Sequence, residues 1–219
     1  MMTDFLVIWS ERSAVLDGFM NTMVLVMIGA VFSLLIGALV TPMLMSRRRA
    51  VARIAVVYVD TMRCVPFLLF VYLIYFGLPS LGIRLSSWWS GALALILYNA
   101  AYMSEILRST WQKLPESMIE AGAAFGFTGL TLLRRIVLPP VILRSVPLIG
   151  NQLIQILKDS AFLTVIAVSE LTHELTGIQS THFIPFAAFI TAVMFYWGIC
   201  IVIEIAVALF NRAAQERTL

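Results

Sequence analysis

Apolar residues in this chain run in five long blocks separated by short polar stretches. The blocks cover about 22–45, 55–78, 90–109, 146–169 and 184–210. As helices they suit a hydrocarbon core about 30 Å thick, which takes roughly 20 residues to cross. In the first block Gly29, Ser33 and Gly37 recur every fourth residue and mark a face for close helix packing. Pro66 kinks or interrupts the second. In the third, Tyr98, Tyr102, Glu105 and Arg108 lie along one face. The fourth is the most polar: Asn151, Gln155 and Asp159 fall at i, i+4 and i+8, with Gln152 and Lys158 beside them. The fifth carries Glu204. Ahead of the first block, Phe5, Ile8, Trp9, Leu16 and Phe19 share a stripe, with Asp4, Glu11, Arg12 and Asp17 elsewhere. That pattern predicts an amphipathic helix lying on the membrane surface.

One long segment is mixed rather than apolar, from Pro115 to Pro140 within a polar connection of about 113–144. Pro115 suits the first turn of a helix. Met118, Ala121, Gly122 and Phe125 follow at helical spacing and predict a short helix with a small, apolar face. Gly126 is placed to end it. Thr128 can cap a second helix carrying Leu132, Leu133, Ile136 and Val137, which the pair Pro139 and Pro140 should stop. The expectation is a helix–turn–helix elbow, too short to span a bilayer.

Composition turns these blocks into a membrane protein. Apolar residues make up 61% of the 219 and charged residues 12%, against roughly 45–50% and 25% in soluble domains. The net charge of +3 does not argue for nucleic acid, because the basic residues sit between the apolar blocks. They fall in 46–53, in 108–144 and in the tail 211–219; the alternate connections carry little beyond Arg12 and Arg84. By the positive-inside rule the predicted architecture is all-α and integral to the membrane, five spans in one domain over 1–219, N-terminus outside and C-terminus inside. Trp88 and Trp89 fit the outer interface.

The chemistry available is narrow. The two lysines, Lys113 and Lys158, do not follow a glycine, so the chain has no Gly-Lys-Ser/Thr phosphate cradle. ATP-driven work would need a separate ATPase. Cys64 and Cys200 sit inside apolar blocks and read as free thiols. Glu170 and His173 could share a helix face, but no second such pair exists for a two-metal site, and solvated loop residues are the expectation for 170–183. No nucleophile–base constellation stands out. Intramembrane charges are costly and usually face protein or a wet cavity. Glu105 can pair with Arg108, and Asp60 with Arg63, one turn apart. Lys158 and Asp159 point about 100° apart and cannot face one partner. The stripe Asn151, Gln155, Asp159 reads equally as a polar pathway or as an interhelical hydrogen-bond face.

The elbow also carries a resemblance. Glu120, Ala121 and Gly122, three residues, Gly126, nine residues, then Ile136, Val137, Leu138 and Pro139 resemble the EAA loop of the permease subunits of ABC importers, with Gly122 in place of the second Ala. Further stretches are similar to the polar amino-acid uptake subgroup: Tyr58 to Pro66 running on to Pro79, Tyr102 to Arg108, Pro147 to Asn151, Leu157 to Ser160, and Ser169 to Leu171. Cys64 and Val65 replace the usual Gly-Thr, Ser109 a Gly, and Ser160 with Ala161 the usual Thr-Ser; no acidic residue is usual at Glu204. The resemblance covers roughly 20–210. It implies a type I importer permease in a bacterial inner membrane, paired with itself or a homologous permease. It implies two ATPase subunits, which hold the ATP and magnesium, and an external solute-binding protein; this chain needs no cofactor. It implies ATPase docking on Glu120, Ala121, Gly122, Phe125, Gly126, Ile136, Leu138 and Pro139, with a polar amino acid or similar zwitterion as cargo. Arg63, Glu105, Asn151, Gln155 and Asp159 are the candidate pathway residues. The rival expectation is a dimeric carrier or channel that works without an ATPase.

Overall fold

The computed structural model describes residues 2–216, all helix and connection. The predicted inner tail, 211–219, lies partly outside these. A first helix, α1 (Met2–Ser10), leads at Glu11 into α2 (Arg12–Leu44). The first span is therefore the lower part of a helix that starts ten residues before the apolar block. On α1, Ile8 is buried while Leu6 and Trp9 are exposed.

The second block is broken. Helix α3 (Arg49–Cys64) ends at Val65, and the chain resumes as α4 (Phe67–Tyr72), a π-turn (Leu73–Gly77) and α5 (Leu78–Ser80), bent by 110° from α3. Pro66 causes the break: it has no N–H to donate, and it pushes Val65 into extended backbone. The Val65 carbonyl accepts from the Tyr98 hydroxyl at 3.2 Å, and the Phe67 and Tyr98 rings meet edge-on at 5.1 Å.

Helix α6 (Ser87–Gln112) is the mast of the molecule, starting at a Ser86 side-chain cap. It packs against α2, α3 and α9, and most against α2. Gly29, Ser33 and Gly37 are all buried, as their spacing predicts. A Cβ at Gly37 would come within 2.7 Å of the Met103 side chain and 2.9 Å of the Ser104 backbone nitrogen. Thr41 extends the face, donating to the carbonyls of Gly37 and Ser104.

The elbow follows: α7 (Glu116–Ala124), α8 (Gly129–Leu132), a π-turn (Leu133–Val137), then α9 (Leu138–Ser160). Here the structure corrects the sequence reading. Pro139 and Pro140 do not stop a helix; they sit in the first turn of α9, where a missing N–H costs little. A 3-10 turn (Ala161–Ile166), α10 (Leu171–His182) and α11 (Pro185–Glu216) complete the chain.

Among the described residues, α2, α6 and α11 (through Arg212) are long and apolar enough to cross a membrane, and the bent pair adds a fourth span if it counts as one. Helix α9 has a span's length, but Arg144, Lys158, Asp159 and its amides set it apart in composition. It packs against α6, α11 and α2, and buries Ser145, Gln152, Asp159 and Ser160 among its polar groups.

Candidate functional site

Four places carry functional groups, and the elbow is the first. Helix α7 ends in a complete Schellman motif. Gly126 takes φ +83°, its N–H donates to the Ala123 carbonyl at 2.9 Å, and the Phe127 N–H reaches the Gly122 carbonyl at 3.1 Å. Gly126 thus ends the helix as its position predicts. Thr128 stands at the N-cap of α8, but its side chain makes no capping bond; its carbonyl accepts instead.

The eight residues expected to dock divide in two. Glu120, Ala121, Phe125, Gly126, Leu138 and Pro139 are exposed. Phe125 is 84% exposed at the apex. Gly122 is buried and Ile136 half-buried: these two close the elbow. A Cβ at Gly122 would stand 2.9 Å from Leu132 and 3.1 Å from Ile136. The face predicted from Met118 to Phe125 therefore splits, Met118 and Gly122 inward, Ala121 and Phe125 outward. Leu107, Leu114, Val137 and Val141 form the small core that seats the elbow against α6 and α9.

The five candidate pathway residues are not brought together. Arg63 and Glu105 belong to a second place, a cleft of about 200 Å³ between α3 and α6 that Asp60 and Arg108 also line. Arg108 donates to Glu105 at 2.8 and 2.5 Å, the pair expected one turn apart. Arg63 sits 3.9 Å from Glu105, so the expected pairing of Arg63 with Asp60 gives way to one across two helices.

Asn151, Gln155 and Asp159 occupy α9, the third place. Asp159 is 2% exposed and accepts from Gln155 at 2.8 Å and from Asn99 at 3.4 Å; Gln152 donates to Asn99 at 2.7 Å. This is a closed amide–carboxylate network between α6 and α9. Asn151, Gln155 and Lys158 are exposed beside it. The stripe thus divides: Asp159 belongs to an internal hydrogen-bond face, while Asn151 and Gln155 present exposed polar side chains. Asn99 was missed by the sequence reading; its signal is an amide standing alone in an apolar block. Asn151 also lines a cleft with Glu204 of α11.

The fourth place is the start of α10, where the expected solvated loop is a packed helix. Glu170 is completely buried and caps α10, accepting from the backbone N–H of Thr172 at 2.8 Å and of His173 at 2.7 Å, while the Tyr196 hydroxyl donates at 2.9 Å. Burial pushes its carboxyl up to about 7, against the opposing pull of those donors. Nearby, Leu171 N–H donates to Thr22, and Asn21 bridges the Ser169 carbonyl and the Trp88 indole. These bonds tie α2, α6, α10 and α11 at one end of the molecule. The carboxylate reads as a helix cap, with its oxygens already engaged.

Comparison with known proteins adds an independent line. Residues 29–216 match the sequence family described as "Binding-protein-dependent transport system inner membrane component". A probable glutamine ABC transporter permease protein of Bacillus subtilis, GlnM, is 29% identical over 96% of this chain and 97% of its own. The arginine transport system permease protein ArtQ of the same organism is 31% identical, covering 78% of each chain. The nopaline transport system permease protein NocM of Agrobacterium fabrum is 34% identical over 80% of this chain and 78% of its own. Among solved structures, a chain from the "Crystal structure of an amino acid ABC transporter with histidines" superposes with a TM-score of 0.88 at 28% identity, covering 95% of this chain and 98% of that one.

Proposed function

Because the chain belongs to the family of binding-protein-dependent transport system inner membrane components, and so is a multi-pass, non-catalytic permease subunit of an ABC importer, we propose that its cargo is a polar amino acid and that the elbow is its coupling device. The named relatives are permeases of glutamine, arginine and nopaline systems, which supports an amino acid or a similar small zwitterion. The observation that carries the coupling role is the elbow itself. It presents Phe125 and its exposed neighbours on a closed, Schellman-terminated turn, whose other arm is continuous with α9. A motion imposed there reaches α9 without a flexible joint.

In this reading the bent pair is the second span, α9 the fourth and α11 the fifth, with the N-terminus outside and the elbow in the cytoplasm. The arginine clusters at 46–53 and around the elbow support that sidedness. Two ATPase subunits dock on the elbows of two permeases, and a binding protein delivers cargo at the opposite face. Asn151 and Gln155 line the pathway. Asp159 orients Gln155 rather than meeting the cargo, and the Arg63, Glu105 and Arg108 cluster fastens α3 to α6.

Co-purification from detergent with the partner ATPase tests the coupling role. Phe125→Ala and Glu120→Lys alter exposed side chains and spare the elbow's packing, so each is expected to cut ATPase recovery at least tenfold at unchanged permease yield. Full recovery in both would remove the elbow from the docking site.

A further inference from the structure

The resemblance leaves Glu204 unaccounted for, and so does the pathway stripe. It lies two turns before Arg212 on α11, flanked by Ile203 and Ile205, and its side chain is exposed. Among the described residues it has no hydrogen bond or ion pair. A bare carboxylate facing lipid at that depth is expensive, so such groups face a wet cavity or a cation.

The structure provides the cavity. Helices α9 and α11 touch where Gly150 meets Val207; a Cβ on Gly150 would fall within 2.4 Å of that side chain. Immediately beside the contact the helices part into a cleft of about 210 Å³. Its polar side chains are the carboxylate of Glu204 and the carboxamides of Asn151 and Asn211. None of its lining residues is basic. The set carries one negative charge and several oxygen acceptors, which matches an ammonium or guanidinium group. The volume corresponds to about seven waters at roughly 30 Å³ each, room for the charged end of a solute rather than a whole large one. One turn along α9 from Asn151 stands Gln155, the other exposed amide of the proposed pathway.

We infer that Glu204, together with Asn151 and Asn211, forms a subsite for a cationic group of the cargo, so that the importer carries amino acids with positively charged side chains. The inference rests on the permease reading above and goes beyond it by naming the charge class. Glu204 supplies the counter-charge, and the two amides orient the head group. The Arg63, Glu105 and Arg108 cluster is a poorer candidate because its one carboxylate is already shared by two arginines.

The test uses the whole importer, permease with ATPase and binding protein, in proteoliposomes. ATP-driven initial uptake of L-arginine, L-lysine, L-ornithine and L-glutamine is measured for wild type, Glu204→Gln and Glu204→Asp. Wild type should carry at least one of the three cationic solutes. Glu204→Gln should lower that uptake at least tenfold, and Glu204→Asp should hold it within threefold. Size-exclusion profiles should show the same intact assembly for all three. Unchanged cationic uptake in Glu204→Gln would overturn the subsite, as would ATP-coupled import confined to glutamine or to none of the four. Dissociation of the permease pair in Glu204→Gln would also overturn it, assigning the carboxylate to a cation of the second subunit. A chain that binds no ATPase and shows no ATP-dependent uptake would instead overturn the permease reading, and the subsite with it.

Discussion

Glu170 is a fully buried carboxyl group with both oxygens engaged, held where four helices meet. Its carboxyl sits near 7, above the ordinary value of 4.5, because burial disfavours the charged form. The sign for stability follows by linkage. Between those two values the folded protein keeps the proton that the unfolded chain has released, so this contribution is full below about 4.5 and is lost as pH rises through about 7. Tyr196, which donates to the carboxyl, stays neutral across that window and does not change the sign. Glu170→Gln keeps an oxygen to cap α10 but cannot titrate. Thermal unfolding in detergent at pH 5 and pH 8 is expected to show wild type losing stability relative to the variant at the higher pH; parallel behaviour would reject the buried-proton account. Nothing in the sequence marks Glu170 as buried, since Glu, His and Thr in a short polar stretch look like any solvated connection. Its burial is set by partners from other parts of the chain, Gly18 and Thr22 of α2 and Tyr196 of α11.

Helices, by contrast, were legible wherever one periodicity governed them. The Gly29, Ser33, Gly37 spacing alone marked the packing face of α2, because only small residues allow backbones so close, and the structure supplies α6 as its main partner. Gly37→Ala puts a methyl into the Met103 and Ser104 backbone region and is expected to cost about 1–3 kcal/mol. Gly177→Ala, in α10 with open space around it, should be neutral or stabilise by up to about 1 kcal/mol. Melting temperatures of the two variants in the same detergent decide it, and equal shifts would mean that the seam is looser than it looks. What sequence could not supply was helix geometry at prolines. Pro66 breaks its helix by 110°, whereas Pro139 and Pro140 open one. The difference is positional: Pro66 falls within an apolar block, while Pro139 and Pro140 follow a π-turn that supplies a fresh first turn. Hydropathy carries no trace of that turn. The α9 stripe was half legible for a related reason, since period alone cannot say which amides find a buried partner such as Asn99.

At the scale of the whole molecule, the distribution of arginines supports the proposed orientation, and accessibility can check it. In a background of Cys64→Ala and Cys200→Ala, Arg84→Cys is expected to react with a membrane-impermeant maleimide in right-side-out vesicles, and Glu116→Cys only after permeabilisation. The reverse pattern would invert the topology and place the elbow on the wrong side for any ATPase. The order of the blocks, the elbow and the helical class all came from local pattern, whereas the separation of Arg63 and Glu105 from the three candidates on α9 came from tertiary packing alone. The π-turn at Leu133–Val137 then has a consequence for the assembled molecule. It lets Leu138 donate to the carbonyl of Leu133, five residues back instead of four. The extra residue is a phase setting, like a tooth on a gear. Removing one residue there would turn the rest of α9 by about 100° relative to the elbow. Both arms would survive as helices, but Asn151 and Gln155 would rotate toward a different neighbour while Phe125 kept its aim. The aim of the α9 face relative to the elbow is thus written in residue count, where substitution scanning would not find it.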